Sequence, residues 1–520
     1  MPTMNVDYSI VIPTRNRPGL IGDAIRRALC LDHPSFEVLL SDNSSDKRTI
    51  EAIREIDDPR FRVVRTSGDL KMHESWAFAA AQARGTWIII LCDDDAHHPE
   101  LLTILDRMTR RYPDADAIAW ARCGYMHNAI ENQPARAARM EFRTIYSDGV
   151  YEIDGQALID DAYAMRVSHN DFIPRMLNTA VRRELFTLAA EKGSPFFRPS
   201  CPDYSSMLTL ALHAKRLLFL DAPLSMTGLL PESTGWAASQ RAEVDPEFVN
   251  GFLEAEGMYV LPPALLTTCC WIAQTYLQLA RDDPHLSGRI VDLVRTYIIA
   301  GQEIEGWRRL GFDVATVEAG LDRAITSFTP EDGQTIRSGI QEGITFESDR
   351  FLRLLDDEDD ETLVLGCGPV LLSDRHIPAG ELASMSLAAS NLPAWIDQHG
   401  IRLGDLISRL SDTAAGRTII IYGLGNGGKM LCRCLSARDS GLPFSWRGHD
   451  DGYQEIMPGA KRLTKGESLD PARHFVFITP LSARGISRRL EDLGFQPGRD
   501  WLTPGDLICG NYASAAGATR

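Results

Sequence analysis

No two of the ten cysteines stand in a Cys-x-x-Cys spacing; they are scattered from Cys30 to Cys509. That pattern supplies neither a zinc ribbon nor a disulfide framework, and it fits reduced thiols in a cytoplasmic protein. Positive charge is also in short supply. Lys and Arg number 54 against 71 Asp and Glu, for a net charge of −17. No general attraction for nucleic acid or an anionic membrane follows, so any anionic substrate must be held by local groups and a metal. Long hydrophobic runs are missing too. The longest, Val260 to Ala280, contains Pro262, Pro263, Gln274 and Gln278 and reads as a buried amphipathic helix rather than a transmembrane segment. Met1 to Asp7 is short and polar, and the apolar run Ile10 to Pro13 is only strand length, so no signal peptide is expected. The expected location is the cytoplasm, with peripheral contact at the inner membrane face left open.

What is present is a chain of 520 residues, 44% hydrophobic and 24% charged, the composition of a globular protein with two or three cores. From the start, short apolar runs alternate with helix-like segments. Tyr8 to Pro13, Glu37 to Ser41, Phe61 to Arg65 and Thr86 to Leu91 read as strands. Helices are expected from about Pro18 to Leu31, from about Lys47 and near His73 to Ala83. Such alternation implies βαβ units, and the first domain is expected to be α/β, a doubly wound and mostly parallel sheet over residues 1–244. Residues 245–405 turn to helical spacing, as in Leu265, Cys269, Ile272 and Tyr276, then Val317, Leu321, Ile325 and Phe328. Residues 406–520 read as a small Rossmann-like domain. The acidic run Asp356 to Glu361 reads as a solvated loop.

The stretch Gly85-Thr-Trp-Ile-Ile-Ile-Leu-Cys-Asp-Asp-Asp95 carries the most chemistry: an apolar strand ending in three consecutive carboxylates, followed by His97, His98 and Pro99. In an open α/β sheet, a strand delivers its last residues to the carboxyl edge, where ligands bind. Three acids there repel one another unless a cation sits among them. Hard oxygen ligands favour Mg2+ or Mn2+, whose usual partner is a phosphate group. An acidic cap for the following helix is the structural alternative. His97 and His98 read as solvated loop residues within reach of the ion.

Four segments together narrow the reading. Ser9-Ile-Val-Ile-Pro-Thr-Arg-Asn-Arg17 opens the sheet, and Val38-Leu-Leu-Ser-Asp-Asn-Ser-Ser-Asp46 ends its second strand. Ala83-Arg-Gly-Thr-Trp87 leads into the acidic turn, and Pro202-Asp-Tyr204 lies far downstream. In this order they resemble the GT-A glycosyltransferases of family 2, over about residues 7–240. The resemblance implies that Pro13, Thr14, Arg15 and Asp42 hold the nucleotide base and ribose. Aligned through Pro99, it sets Asp94 and Asp95 on the last two acids of an Asp-x-Asp-Asp pattern, while Cys92 stands where the first acid often lies. Asp95 is then the metal ligand, with Asp93 able to restore an Asp-x-Asp spacing, and Asp93 and Asp94 lie beside the nucleotide sugar. Asp203 matches the catalytic base, and single displacement with inversion is implied. Asp203 also suits an N-cap of the helix Tyr204 to Leu212, and Asp42 with Asp46 suits a cap as well. Lys71, Arg15 and the loop Ser233-Thr234-Gly235 are further phosphate or sugar contacts.

The second glycine motif, Gly423-x-Gly425-x-x-Gly428, follows a strand and opens a helix, so backbone N–H groups there can face a phosphate. Asp450 lies about twenty residues beyond the last glycine, where a ribose-hydroxyl acceptor is expected. Phe444 to Asp450, with Arg447 and Gly448, makes a poor strand. A nucleotide or NAD(P) is the ligand class of this turn, and simple packing is the alternative. Val364 to Pro369 reads as a loop.

The expected function is therefore metal-dependent transfer of a sugar from a nucleoside diphosphate donor to a hydroxyl acceptor, whether glycan, lipid-linked glycan or protein, in the synthesis of a surface polysaccharide or other glycan. A phosphatase of the Asp-x-Asp type is disfavoured, because the position after the first strand reads Pro13-Thr14-Arg15. A nucleotide-sensing scaffold acting through the C-terminal glycine turn is the non-enzymatic alternative.

Overall fold

The computed structural model describes residues 6–66, 70–126, 139–143, 145–168, 171–199, 201–229, 267–309, 313–343, 348–355, 370–371, 375–376, 392–393, 396, 400–423, 426–436, 438, 441–449, 468–479 and 484–509. The first strands are β1 (Tyr8–Thr14), β2 (Phe36–Asp42), β3 (Phe61–Arg65) and β4 (Trp87–Ile90), all parallel to one another. Helices α1 (Pro18–Leu29), α2 (Arg48–Ala52) and α3 (Met72–Ala81) connect them. Both faces of this sheet are covered, as right-handed crossovers require. Ile10, Ile12, Val38, Leu40 and Ile89 enter one core, and Val11, Leu39, Ile88 and Ile90 enter the other. The period of two is thus present, with both phases apolar. On α1, Ile21, Ala24, Ile25 and Ala28 form the buried stripe, and Pro18 occupies the first turn, where its missing N–H costs nothing.

Beyond β4 come β5 (Ala96–His97), α4 (Leu101–Arg111), β6 (Ala117–Met126), β7 (Arg139–Glu141), β8 (Ile145–Tyr146), β9 (Val150–Ile153) and α5 (Gly155–Tyr163). They are followed by β10 (Thr179–Arg182), α6 (Arg183–Glu191), α7 (Pro202–His213) and β11 (Leu217–Leu229). Among the described residues the sheet has twelve strands, with a main order of Leu352–Leu354, β9, β11, β6, β10, β4, β1, β2, β3. It is α/β and doubly wound as expected, and mixed in direction: β10 runs antiparallel to β4 and β6, while β11 runs parallel to β6.

The region of helical spacing holds the helices Thr268–Asp282, Leu293–Arg309, Ala315–Ile325 and Pro330–Glu342. It also returns strand Leu352–Leu354 to β9 and strand Arg375–His376 to β7. These strands are two or three residues long, too short to show a period in sequence. The acidic run and Val364 to Pro369 lie outside the described residues.

A second, four-stranded parallel sheet is ordered Trp446–His449, Thr418–Tyr422, His474–Ile478, Trp501–Leu502. The segment expected to be a poor strand is therefore paired. It lies at the edge of the sheet, where Arg447 and His449 keep partial exposure and only one neighbour must be matched.

Candidate active site

Parallel strands bring their carboxyl ends to one edge, and the register is explicit: Thr14 lies beside Asp42, and Asp42 beside Arg65. The turn Cys92 to Asp95 continues from β4 at the same edge. The loop after β1 is fastened to the loop after β2. Asn16 takes a positive φ of 56°, its N–H donates to Ser44 Oγ at 2.9 Å, and its Oδ1 accepts from Ser45 N at 3.0 Å. Asp42 is fully buried, accepts from Ser44 N at 2.9 Å and pairs with Arg65 Nε at 3.3 Å. Of the cap alternative, only Asp46 acts as one, accepting from Arg48 N at 2.9 Å. Pro13 and Thr14 are buried in β1, whereas Arg15 is exposed beside them. Lys71 precedes α3, whose start belongs to this edge as well.

The three aspartates are all buried and have distinct surroundings. Asp93 has both oxygens engaged: Oδ2 accepts from Thr14 Oγ1 at 2.6 Å, and Oδ1 from Arg17 Nη1 at 2.8 Å. Arg17 also reaches Asp94 Oδ2 at 3.3 Å. Asp95 Oδ1 accepts from Gly228 N at 2.9 Å, and its backbone carbonyl accepts from Arg27 Nη2 at 2.9 Å. Burial, and then the charge of Asp94, push the Asp95 carboxyl well above its ordinary range. Burial and the same acids push the Cys92 thiol up. Among the described residues, the donor group compact enough for one ion is Cys92, Asp94 and Asp95, with ligand atoms within 4.8 Å of one another. Asp93 serves instead to tie β1 to the turn. The donor set fits a divalent cation: it carries two carboxylates whose proximity is otherwise costly, together with a thiol able to ligate.

His97 and His98 are buried, not solvated, because β5 pairs with β11 and His97 stands opposite Ser225. Trp120 Nε1 donates to Ser225 Oγ at 2.6 Å, so the serine proton is free to point at His97 Nδ1, 2.8 Å away. His98 Nδ1 accepts from Glu100 N at 3.2 Å. Burial lowers the His97 pKa to about 3 and that of His98 to about 4. Neither ring belongs to the compact donor group.

Asp203 reaches the same edge by another route. Helix α7 ends at His213, and β11 begins at Leu217, so the helix runs back against the strand and its first turn lies at the carboxyl edge. The segment before β10 lies close by: Ala180 pairs with Ile89 near the end of β4, Thr179 pairs with Ala119 of β6, and a 3-10 turn, Met176–Asn178, lies just ahead of them. Arg175, which opens that turn, stands 3.9 Å from Asp203 Oδ2. The Asp203 side chain keeps 23% of its surface exposed and stands in the first turn of α7, where the backbone N–H groups of Tyr204 and Asp203 favour its charged form. Burial raises its carboxyl pKa, and Arg175 opposes that rise.

Residues 9–174 match the model for Glycosyl transferase family 2, a span that ends before Arg175 and Asp203. Solved structures similar to the chain include S. aureus TarS 1-349, at 15% identity and a TM-score of 0.34, over 68% of this chain and 97% of that one. The same fragment in complex with UDP-GlcNAc gives 14% identity and a TM-score of 0.35 over the same shares. The mannosyltransferase PcManGT from Pyrobaculum calidifontis, in complex with GDP-Man and Mn2+, gives 15% identity and a TM-score of 0.32 over 66% and 88%. No curated protein matches the chain.

Within residues 9–174, sequence reasoning found the acidic turn and missed what holds it. Arg17 and Arg27 were legible only as parts of a loop and a helix, and their targets lie 76 and 68 residues away. Gly425, Asp450 and the loop Ser233 to Gly235 lie outside the described residues. Gly423 takes a φ of 91°, and a Cβ on Gly428 would stand 2.0 Å from the Gly423 carbonyl oxygen, so both glycines are required by the turn itself. Among the described residues no helix is long and apolar enough to cross a membrane.

Proposed function

We propose that the chain is a metal-dependent glycosyltransferase that moves a sugar from a nucleoside diphosphate donor onto a hydroxyl acceptor with inversion at the anomeric carbon, in glycan or surface polysaccharide synthesis. The observation that supports the reading is the compact group Cys92, Asp94 and Asp95 within the segment that matches the family 2 model, at the sheet edge toward which the first turn of α7, with Asp203, is directed. Asp42, buried beside the loop of Pro13, Thr14 and Arg15, has lone pairs suited to a base N–H or a ribose hydroxyl. Asp94 and Asp95, joined by Cys92, would hold Mg2+ or Mn2+, and a bound ion neutralises charge on the departing diphosphate. Arg17 holds Asp93 and Asp94 in place as that charge develops nearby.

Asp203 takes the proton of the acceptor hydroxyl. As it does so, the acceptor oxygen bonds to the anomeric carbon from the face opposite the donor phosphate, and the carbon–oxygen bond to the diphosphate breaks with its electron pair. One displacement gives inversion. In this reading residues 1–244 carry the reaction, 245–405 support it, and 406–520 form an appended Rossmann-like unit that takes a nucleotide.

The test is a thermal-shift panel of nucleoside diphosphates and nucleotide sugars, with and without Mn2+, on the wild type and on Asp95→Asn. A Mn2+-dependent rise with one donor that the variant loses supports the reading. Identical responses of the two proteins sink it. Product analysis by NMR then reads the anomeric outcome.

A further inference from the structure

Asp203 is not an isolated carboxylate on a helix end. Arg175 approaches it from a different element, 3.9 Å from Oδ2, and is itself held in place: its Nη1 donates to Tyr204 Oη at 3.2 Å, and its guanidinium lies 5.3 Å from the centre of the Tyr204 ring. Tyr204 Oη in turn donates to the Ser168 carbonyl at 2.7 Å. The backbone of Arg175 is pinned as well, its N–H donating to Asn178 Oδ1 at 3.1 Å, while Asn178 Nδ2 donates to the Trp120 carbonyl at 2.7 Å. A chain of contacts therefore runs from the centre of the sheet through Asn178 and Arg175 to Asp203. Only 13% of the Arg175 side chain is exposed, so its charge is poorly screened.

We infer that Arg175 is a positioning residue that keeps the Asp203 carboxylate ionised and in place until the acceptor hydroxyl gives up its proton. The inference rests on the reading of Asp203 as the base. Burial raises the Asp203 carboxyl, and a group that held its proton would be useless as a base near neutrality; a fixed cation at this distance opposes that rise and favours the anionic form. The buried hydroxyl of Tyr276, from the helix Thr268–Asp282, faces Asp203 together with Tyr204 and the preceding Cys201, and Tyr163 of α5 packs against it. None of these is a cation, so Arg175 supplies the compensating charge in this set.

The experiment is the pH dependence of kcat/KM and kcat for the full chain carrying Arg175→Gln, Arg175→Lys, Tyr204→Phe or Asp203→Asn. Loss of the cation makes Asp203 hold its proton to higher pH. Arg175→Gln is therefore expected to move the acid limb up by about one pH unit, a roughly tenfold loss below the limb that recovers in alkali. Arg175→Lys restores most of the limb, and kcat falls more than KM rises. Tyr204→Phe, which frees the guanidinium but keeps the ring, moves the limb in the same direction by less; it decides the matter where Arg175→Gln does not fold. A uniform loss at every pH, with the limb unmoved in the folded variants, overturns the inference. Asp203→Asn tests the underlying reading separately: activity retained there removes the base, whatever Arg175 does.

Discussion

Thr14 Oγ1 donates to Asp93 Oδ2 across 2.6 Å, joining the end of β1 to the turn after β4. The bond is buried and its acceptor is charged, which puts it among the stronger hydrogen bonds of a protein. Thr14→Val keeps the shape and leaves one aspartate oxygen unmatched. It is expected to cost about 1–3 kcal/mol of stability, measured by urea unfolding, and to weaken Mn2+ binding as the turn loosens. Unchanged stability and metal affinity would show that Arg17 alone holds Asp93.

The two buried histidines make stability depend on pH in a defined direction. Their folded pKa values, about 3 for His97 and about 4 for His98, lie below the ordinary value of 6.5. The unfolded chain therefore binds protons that the folded one refuses, and the stability present above pH 6.5 is lost as pH falls toward 4. At pH 5 each histidine contributes a loss of about 2 kcal/mol relative to pH 7 and above. Urea unfolding at pH 7 and pH 5 reads the difference, and His98→Gln should remove a measurable part of it. An equal drop in the variant would assign the effect to other groups.

Gly85 has a demand of its own. A Cβ there would stand 2.6 Å from Ser9 N and 2.7 Å from the Tyr8 carbonyl carbon, both backbone atoms of β1. Its N–H donates to Ser9 Oγ at 2.8 Å, and Ser9 Oγ donates to Glu37 Oε1 at 2.7 Å. Gly85→Ala must push β4 away from β1 and is expected to cost about 2–4 kcal/mol, seen as a lowered Tm. A variant as stable as the wild type would mean that the strands can separate there freely.

The Ala83-Arg-Gly-Thr-Trp87 segment was readable in sequence as part of a family pattern, and the structure supplies the reason for its glycine. Strands β1 to β4 were legible because both faces are apolar and each run is bounded by a polar turn. The paired strand Trp446–His449 was not, because an edge position tolerates the arginine that makes it look unlike a strand. The environment of the acidic turn was equally hidden. Ser225, which hydrogen-bonds His97, lies 128 residues from it, and Gly228, which holds Asp95, lies 133 residues away. A late strand, β11, with two register shifts at Pro223 and Ser225, brings them home. Local pattern reveals which residues are chemically able, but burial and pairing over such separations are properties of the finished sheet.

Tyr151 of β9 donates its hydroxyl to Met430 Sδ at 3.2 Å, and Arg433 pairs with Asp349 at 3.1 Å. The helix that opens at the second glycine turn is thus seated on the twelve-stranded sheet rather than tethered to it. Cutting the chain before residue 406 would strip a cover from a buried tyrosine and take the Arg433 partner from Asp349, so a shortened chain would begin life with a greasy scar.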